Sequence, residues 1–222
     1  MAAIANSLNR ETTNKLLDPG EIKRLDAMKL YERGAMDNGY MRIAGIDEVG
    51  RGPLAGPVVS AAVILPIDYY PEGLNDSKKL TARQRNRLFE MLARDAVAWG
   101  AGMSDINEID EYNILNATIK SMERAINALY PLPDFLLVDA LNLKSIPTPQ
   151  KAIIKGDSLS ISIAAASVIA KVIRDKMMEI YDKLYPGYGF AKHKGYGTKD
   201  HMESIRRLGL CPIHRRSFCH IE

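Results

Sequence analysis

Residues 41–65 read MRIAGIDEVGRGPLAGPVVSAAVIL, and this stretch gives the clearest indication of the fold. Two apolar runs, 41–46 and 58–65, have the length and character of short strands. The loop between them is rich in glycine, and its two prolines keep it out of a sheet because proline lacks a backbone N–H. The first run ends at Asp47 and Glu48. The stretch predicts two strands joined by a structured loop, with two acids where the first strand ends.

Patterns on either side of this stretch extend the fold. Short apolar runs predict further strands at 99–103, 135–139 and 152–155. Periodic apolar positions predict helices at 19–39, 114–129 and 163–184. Because strands separated by helices form a sheet with a parallel portion, the sequence predicts an α/β fold, a mixed β-sheet flanked by helices with a C-terminal helical region. Residues 1–40 are predicted to be an N-terminal extension with one helix, and residues 41–222 the main domain.

The composition excludes several classes of protein. Of the 222 residues, 46% are hydrophobic, enough for a core, and 26% are charged. No apolar run reaches the about 18 residues that a membrane-spanning helix needs. The first residues lack the basic and apolar blocks of a secretory signal. The two cysteines, Cys211 and Cys219, are too few for a disulfide scaffold, so we expect a cytoplasmic protein without a membrane partner.

The charge is mildly basic, with a formal net value of +3. This value permits a nucleic-acid partner but does not require one. The basic residues gather in three groups: Lys78, Lys79, Arg83, Arg85 and Arg87; Lys192, Lys194 and Lys199; Arg206, Arg207, Arg215 and Arg216. Such groups are more often solvated surface than a binding site, so charge alone assigns no function.

Four acids stand in unusual places for charged side chains. Asp47 and Glu48 follow one predicted strand. Asp139 ends a strand whose apolar run predicts burial, and Asp157 follows another strand. An ionised carboxylate in an apolar setting loses much of its solvation unless a cation compensates it. Because Mg²⁺ prefers oxygen ligands, and acids at adjacent strand ends are typical of two-metal phosphodiester sites, the pattern predicts a metal site.

Each acid also has a simpler interpretation. Asp157 precedes a predicted helix and could cap its N-terminus. Asp139 could accept a hydrogen bond from a loop, and Glu48 could be solvated. Three strand ends that all carry acids favour a shared site, but the sequence alone leaves their convergence open.

Two glycine-containing loops accompany the acids. Gly50-Arg51-Gly52 follows the acid pair directly, and glycines allow positive φ and close approach of backbone amides to a ligand. A Gly-x-Gly tripeptide alone usually indicates only a turn. Its position directly after two acids makes a functional role more plausible here. In the second loop, residues 193–198, Tyr196 could stack on a sugar or base or could simply fix the loop.

Several segments complete a pattern along the chain. They are IDEVGRGPLAGP (46–57), DSKKL (76–80), VD (138–139), KGD (155–157), AAASVIAK (164–171) with RD (174–175), HKGYGT (193–198) and HRRSF (214–218). Together and in this order, from about residue 42 to the C-terminus, they closely resemble the ribonuclease HII family, the type 2 ribonucleases H. The Gly-Arg-Gly form favours this family over the sister type HIII. The resemblance implies the ribonuclease H-like fold, with residues 41–222 as the catalytic domain.

The resemblance also implies roles for individual residues. The family's four metal-binding catalytic acids match Asp47, Glu48, Asp139 and Asp157. The tripeptide that reads the ribose 2′-hydroxyl at an RNA–DNA junction matches Gly50, Arg51 and Gly52, and Tyr196 matches the tyrosine that packs on the following deoxyribose. The motifs that face the nucleic-acid backbone contain Lys78, Ser167 and Lys171.

The implied activity is endonucleolytic, with Mg²⁺ or Mn²⁺ as cofactor and two-metal-ion catalysis. The enzyme would cut the RNA strand of RNA/DNA hybrids and incise 5′ of ribonucleotides embedded in duplex DNA, leaving 5′-phosphate and 3′-hydroxyl ends, in support of ribonucleotide removal from DNA during replication and repair. Because the 2′-hydroxyl distinguishes RNA from DNA without reading a base, we expect little sequence dependence. We expect a monomer without a C-terminal tail for a sliding clamp.

Other assignments compete with these. Asp175 could replace Asp157 as fourth ligand, but it lies four residues after Lys171 in a predicted helix, which predicts a surface ion pair. His193 is a general-base candidate only through its motif. The competing protein classes are a non-catalytic nucleic-acid-binding module, the sister type HIII, and a zinc protein using Cys211, His214, Cys219 and His220, whose spacing fits no familiar finger.

Overall fold

A mixed sheet forms the centre of the computed structural model, which describes residues 17–219. The strands of this region are β1 (Ile43–Val49), β2 (Val58–Ile64), β3 (Ala98–Ser104), β4 (Phe135–Asp139) and β5 (Gln150–Ile153). Their order across the sheet is β3-β2-β1-β4-β5. β1, β2 and β3 are antiparallel neighbours, whereas β4 and β5 run parallel to β1. The predicted α/β fold with a partly parallel sheet is confirmed.

Helices cover both faces of the sheet. They are α1 (Pro19–Met28), α2 (Leu30–Asp37), α3 (Ala82–Asp95), α4 (Ile106–Asn127), α5 (Gly156–Leu159), α6 (Ile161–Leu184), α7 (Phe190–His193) and α8 (Lys199–Leu208). Side chains of a strand alternate between faces, so Ala61 and Val63 of β2 pack towards α3 and α6, while Ala62 and Ile64 pack towards α4. No helix within residues 17–219 is long and apolar enough to cross a membrane.

Several predicted boundaries were wrong, each for a local reason. The helix predicted at 19–39 is two helices, α1 and α2, because the backbone leaves the helical conformation at Lys29. The helix predicted at 114–129 begins at Ile106 and is kinked at Asn113, which has a φ of 65°. β1 continues past residue 46 because its pairing with β2 extends to Val49, so Asp47 and Glu48 lie within the strand.

The N-terminal helices share the main core. Leu25 and Met28 of α1 belong to the same apolar cluster as β2, α3 and α6. From α2, the buried Glu32 reaches the start of α6, where its Oε1 accepts hydrogen bonds from Ser160 Oγ at 2.6 Å and from Ser162 N at 3.0 Å. The stretch predicted as an extension therefore helps to fix the beginning of α6.

α6 lies directly against β1 at a glycine. A Cβ placed on Gly45 would be 2.1 Å from the backbone carbon of Ser162, far closer than non-bonded carbon atoms approach. Only glycine fits between this strand and this helix. The close contact fixes the distance between the end of β1 and the part of α6 that carries Ser167.

Candidate active site

The ends of β1 and β4 bring two of the predicted acids side by side. These parallel neighbours pair Ile46 with Val138, and Asp47 and Asp139 are the next residues along each strand. Paired positions of neighbouring strands place their side chains on the same face. Asp47 and Asp139 therefore form the centre of an acidic cluster, with Glu48 following on β1.

A tight turn after β5 adds another acid. β5 pairs Ile153 with Asp139, and Lys155 then adopts the left-handed conformation with a φ of 57°. This turn begins α5, where the Gly156 N–H donates to Asp139 Oδ1 at 2.7 Å. Burial, and then the nearby charge of Asp157, raise the pKa of Asp139 against the effect of that hydrogen bond. The buried Asp157 thus lies within electrostatic reach of the strand acids.

Burial and mutual repulsion act on the other two acids as well. Asp47 is 4% exposed, and burial, followed by the charges of Glu48 and Asp139, raises its pKa well above the ordinary value of 3.8. Burial, and then Asp139, also raise the pKa of Glu48 although the charge of Arg51 opposes this. The cluster therefore holds negative charge that a cation would stabilise.

Two predicted backbone-contacting residues touch this cluster. Lys78, whose side chain is 77% exposed, places Nζ 3.1 Å from Asp157 Oδ2. Ser167 is 4% exposed; its hydroxyl lies 2.8 Å from Ser77 Oγ. Burial raises the pKa of Asp47, and the nearby Ser167 side chain acts in the opposite direction. Ser167 thus lies beneath the acids, whereas Lys78 lies at their open side.

Lys171 and Asp175 form the predicted ion pair, with Nζ and Oδ1 2.6 Å apart. The prediction that this pair lies on the surface was wrong, because both side chains are less than one-fifth exposed. Arg85 adds a second cation at 3.6 Å from Asp175 Oδ2. The charge of Asp175 is therefore neutralised by Lys171 and Arg85. These three side chains form a charged cluster of their own.

The acids suit hard divalent cations by their chemistry, since all supply carboxylate oxygens. Within residues 17–219, however, no three His, Cys, Asp or Glu side chains are arranged so that they could hold a metal ion without rearranging. The acids repel one another, so rotation of their side chains would accompany cation binding. The alternative zinc set gains no support, since Cys211, His214 and Cys219 form no such group and His220 lies outside the described residues.

The Gly-Arg-Gly loop leaves β1 beside the acids. Gly50 has a φ of +99°, and a Cβ there would be 2.2 Å from Arg174 Nε, so the position requires glycine for conformation and space. Arg51 and Gly52 are exposed. Among the described residues, no acceptor bonds their two N–H groups. The loop therefore presents two adjacent backbone donors next to Glu48.

Tyr196 stands opposite this loop. It is 45% exposed, and its Cε1 is 3.8 Å from the Cβ position of Gly52. The two loops are joined by the Leu54 N–H, which donates to Gly195 O at 2.8 Å. The structure thus brings the Gly-Arg-Gly amides and the Tyr196 ring to one side of the acids.

His193 has no general-base geometry in this structure. Its ring is buried, with Nε2 2.7 Å from Tyr188 O and Nδ1 accepting from the Gly195 N–H at 3.2 Å. It also stacks on His201, with ring centroids 4.3 Å apart. Both ring nitrogens are engaged inside the loop, so His193 shapes the loop that carries Tyr196.

Two buried arginines were missed from the sequence. Arg174 and Arg215 are each 0% exposed, and both donate to backbone carbonyls of the Gly-rich loop. Interpreting the third basic group as solvated surface was wrong for Arg215, although the adjacent Arg216 is exposed. Each arginine lies in a segment that matches the family, and this was the only sign in the sequence that it could matter. Nothing in the pattern distinguishes a buried arginine from an exposed one.

The crowding of the acids predicts that Asp47→Asn stabilises the cation-free protein. A carboxyl whose folded pKa is raised favours folding while protonated and loses that contribution as pH rises through the folded pKa. Asparagine is neutral at all pH values. The free energy of unfolding of the variant should therefore exceed that of the parent by about 1–2 kcal/mol at neutral pH, which raises Tm by roughly 2–8 °C. The difference should vanish near pH 4, close to the unfolded pKa.

Thermal unfolding in chelator between pH 4 and 8 would measure this difference. Glu203→Gln is the matched control, since Glu203 is exposed on α8 and forms no ion pair in the described chain. We expect its Tm to follow that of the parent at every pH. A cation-free Asp47→Asn protein less stable than the parent at neutral pH would contradict the repulsive cluster.

Comparisons with known proteins identify similar sequences and similar folds. The family model described as Ribonuclease HII matches residues 44–221. The ribonuclease HII of Acetivibrio thermocellus is 56% identical over 204 residues, 92% of this chain and 80% of that protein. The solved ribonuclease H2 of Pyrococcus horikoshii OT3 has a TM-score of 0.67 and 29% identity, covering 80% of this chain and 93% of that one. Bst-RNase HIII, solved in complex with Mn²⁺, is similar in fold alone, with a TM-score of 0.57 and 19% identity over 76% of this chain and 63% of that chain.

The matched range contains every residue of the acidic cluster and both loops beside it. The resemblance predicted from the motifs is confirmed, since the match extends over well over half of the chain and a relative is more than half identical to it. The chain belongs to the ribonuclease HII family of endoribonucleases.

Proposed function

We propose that this endoribonuclease, which acts on RNA/DNA hybrids as its family does, also incises duplex DNA on the 5′ side of a single embedded ribonucleotide. The single observation that supports this best is the pairing of two features at one end of the sheet. Asp47 and Asp139 form an acidic centre, and beside it the exposed residues Arg51 and Gly52 present two N–H groups that no described residue accepts.

The acids would hold divalent cations, Mg²⁺ or Mn²⁺; Bst-RNase HIII, which is similar in fold, was solved in complex with Mn²⁺. When bound, two such ions supply activation of water and stabilisation of the leaving oxygen in phosphodiester hydrolysis. The proposed ligands are Asp47, Glu48, Asp139 and Asp157. The Gly156 N–H donates to Asp139 at 2.7 Å and keeps that side chain oriented, and Ser167 lowers the pKa of Asp47, which burial raises.

The amides of the loop would recognise the ribose. A 2′-hydroxyl is the group that distinguishes RNA from DNA at one position, and it accepts hydrogen bonds. The N–H groups of Arg51 and Gly52 would donate to it, while the half-exposed ring of Tyr196 would pack on the next sugar. Lys78 would contact the backbone from the open side of the acids. None of these contacts reads a base, so a single ribose suffices as the target.

We also propose that the protein is a monomer. It would act in the reducing cytoplasm, where it would take part in removing ribonucleotides from DNA. Cys211 and Cys219 carry free thiols, which a reducing compartment maintains. Light scattering of the purified chain would test the monomer, with a dimer at micromolar concentration as the contradicting result.

The test of function uses three end-labelled duplexes of one sequence: all-DNA, DNA with one ribonucleotide, and a continuous RNA/DNA hybrid. With Mg²⁺ or Mn²⁺, we expect incision at the 5′ side of the single ribonucleotide, cutting along the hybrid, and none of the all-DNA duplex. Ligation of the products would show 5′-phosphate and 3′-hydroxyl ends, and chelator should abolish cutting.

Each alternative predicts a different result. Cutting of the hybrid with no incision at the single ribonucleotide would overturn the junction proposal and favour type HIII behaviour. Binding of the duplexes without cutting in either cation would indicate a non-catalytic nucleic-acid-binding protein. Equal cutting after chelation would rule out the proposed metal dependence.

A further inference from the structure

A fully buried guanidinium lies beneath the Gly-Arg-Gly loop. Arg215 donates from Nη2 to Gly50 O at 2.6 Å, from Nη1 to Arg51 O at 3.0 Å and from Nε to Gly56 O at 2.9 Å. It is 0% exposed, and within residues 17–219 it forms no ion pair. A charged group without a carboxylate partner is costly to bury, so this set of carbonyl acceptors compensates it.

Arginine suits this position because of its shape. A guanidinium carries five N–H donors in one rigid plane, whereas a lysine ammonium has three on a single atom. Carbonyls at three separate residues of one loop can be reached together by a planar fork but not by one point donor. The buried Arg174 packs against Gly50 but donates to other carbonyls, those of Pro57, Ala55 and Lys194. Of the two buried arginines, Arg215 is therefore the one that donates hydrogen bonds to the carbonyls of the tripeptide.

The planar peptide bond links the direction of each carbonyl to the direction of the next N–H group. The contacts of Arg215 with two carbonyls therefore also orient two N–H groups. The Gly50–Arg51 and Arg51–Gly52 bonds are trans, and in a trans peptide the C=O and N–H point in opposite directions. When Arg215 pulls the carbonyls of Gly50 and Arg51 inwards, the N–H groups of Arg51 and Gly52 must point outwards. These are the two N–H groups without an acceptor in the described chain.

We propose that Arg215 is a positioning residue for ribose discrimination: it fixes both peptide planes of the loop so that their amides meet a 2′-hydroxyl. This inference rests on the proposed function. It places the determinant of sugar specificity more than 160 positions along the chain from the loop that contacts the sugar. Arg215 is 0% exposed and forms no hydrogen bond with the four acids, so it would act on the substrate only through Gly50 and Arg51.

The test measures binding by a catalytically disabled full-length parent, Asp139→Asn, in Mg²⁺. Its affinity for duplex DNA with one ribonucleotide is compared with its affinity for the all-DNA duplex of the same sequence. Adding Arg215→Lys should lower the ratio of these affinities about tenfold, as expected for two misaligned hydrogen bonds. Affinity for all-DNA should change less than about twofold because the positive charge remains. The matched control is Arg216→Lys, the exposed neighbour, which should keep the ratio of the parent.

The outcomes separate this inference from the function on which it rests. A parent without preference for the ribonucleotide duplex would overturn 2′-hydroxyl recognition itself. A parent with that preference, retained after Arg215→Lys, would overturn the role of Arg215 alone. Equal weakening on both duplexes would also overturn it, since that is the effect of general structural support.

A measurement on the Asp139→Asn parent, which retains Arg215, applies even if Arg215→Lys fails to fold. In nitrogen-15 NMR spectra, the guanidinium signals of Arg215 and the amide signals of Arg51 and Gly52 should shift together on addition of the ribonucleotide duplex. The all-DNA duplex should leave them in place. Arg215 signals that do not respond while the two amides shift would contradict the proposed coupling.

Discussion

Asp139→Asn is expected to lower turnover on a single-ribonucleotide duplex at least about 1,000-fold, equivalent to roughly 4 kcal/mol of transition-state stabilisation. Asp139 lies between the acid on β1 and the acid on α5, so loss of its charge would weaken the proposed cation site at its centre. The fold should survive, because asparagine Oδ1 can still accept the Gly156 N–H. Single-turnover rates with saturating Mg²⁺ would measure the loss.

The other end of the same strand provides a matched control. Asp134 precedes β4, accepts the Arg42 N–H at 2.8 Å and lies away from the acids. Asp134→Asn removes the same charge from the same part of the sheet and should keep turnover within about twofold, as expected of a change outside the site. If both variants lost activity equally, sheet stability rather than cation binding would explain the role of Asp139.

Gly45→Ala should have the largest effect on stability of any substitution considered. Its methyl group would overlap the backbone of Ser162 at 2.1 Å, and the clash is with main chain that no rotamer change can move. α6 and β1 would have to separate, so we expect a loss of about 3 kcal/mol or more, which is a Tm lower by roughly 6–12 °C. Chemical and thermal unfolding would measure it.

Gly34→Ala is the control for that substitution. Gly34 lies on an exposed turn of α2, and a Cβ there has no neighbour within 4 Å. Alanine should stabilise the helix by about 0.5–1 kcal/mol through its better helix propensity. Opposite signs at the two glycines would confirm that packing decides the effect at residue 45. A Gly45→Ala protein as stable as the parent would show that α6 does not lie so close to β1.

Much of the fold could be predicted because its strands and long helices are strongly apolar. β2 and β4 are buried runs, and α6 carries an uninterrupted apolar stripe. α3 was missed because most of its residues are polar and only one face is buried. Its start carries a capping box, in which Thr81 and Gln84 bond each other's backbone, and this was the overlooked signal.

The candidate site also has features that the sequence indicated and features that it could not indicate. The strand register explains why Asp47 and Asp139 meet. The acids at apolar strand ends favoured a shared site, but the sequence left their convergence open. The supporting contacts could not be predicted, because they depend on tertiary distance: Ser167 reaches Asp47 from α6, and Glu32 holds the start of that helix from α2. A conformational break such as Asn113 leaves no periodic trace either.

The separation between Arg215 and Gly50 also bears on how the protein is made. The sheet begins with β1, β2 and β3, which are adjacent in the chain and so can pair early, whereas contacts across 165 positions close late. Because a ribosome delivers the N-terminal part first, the acids can assemble while Arg215 is still being synthesised. Selectivity for ribose would then be acquired later than the acidic cluster, when Arg215 reaches the loop that it positions.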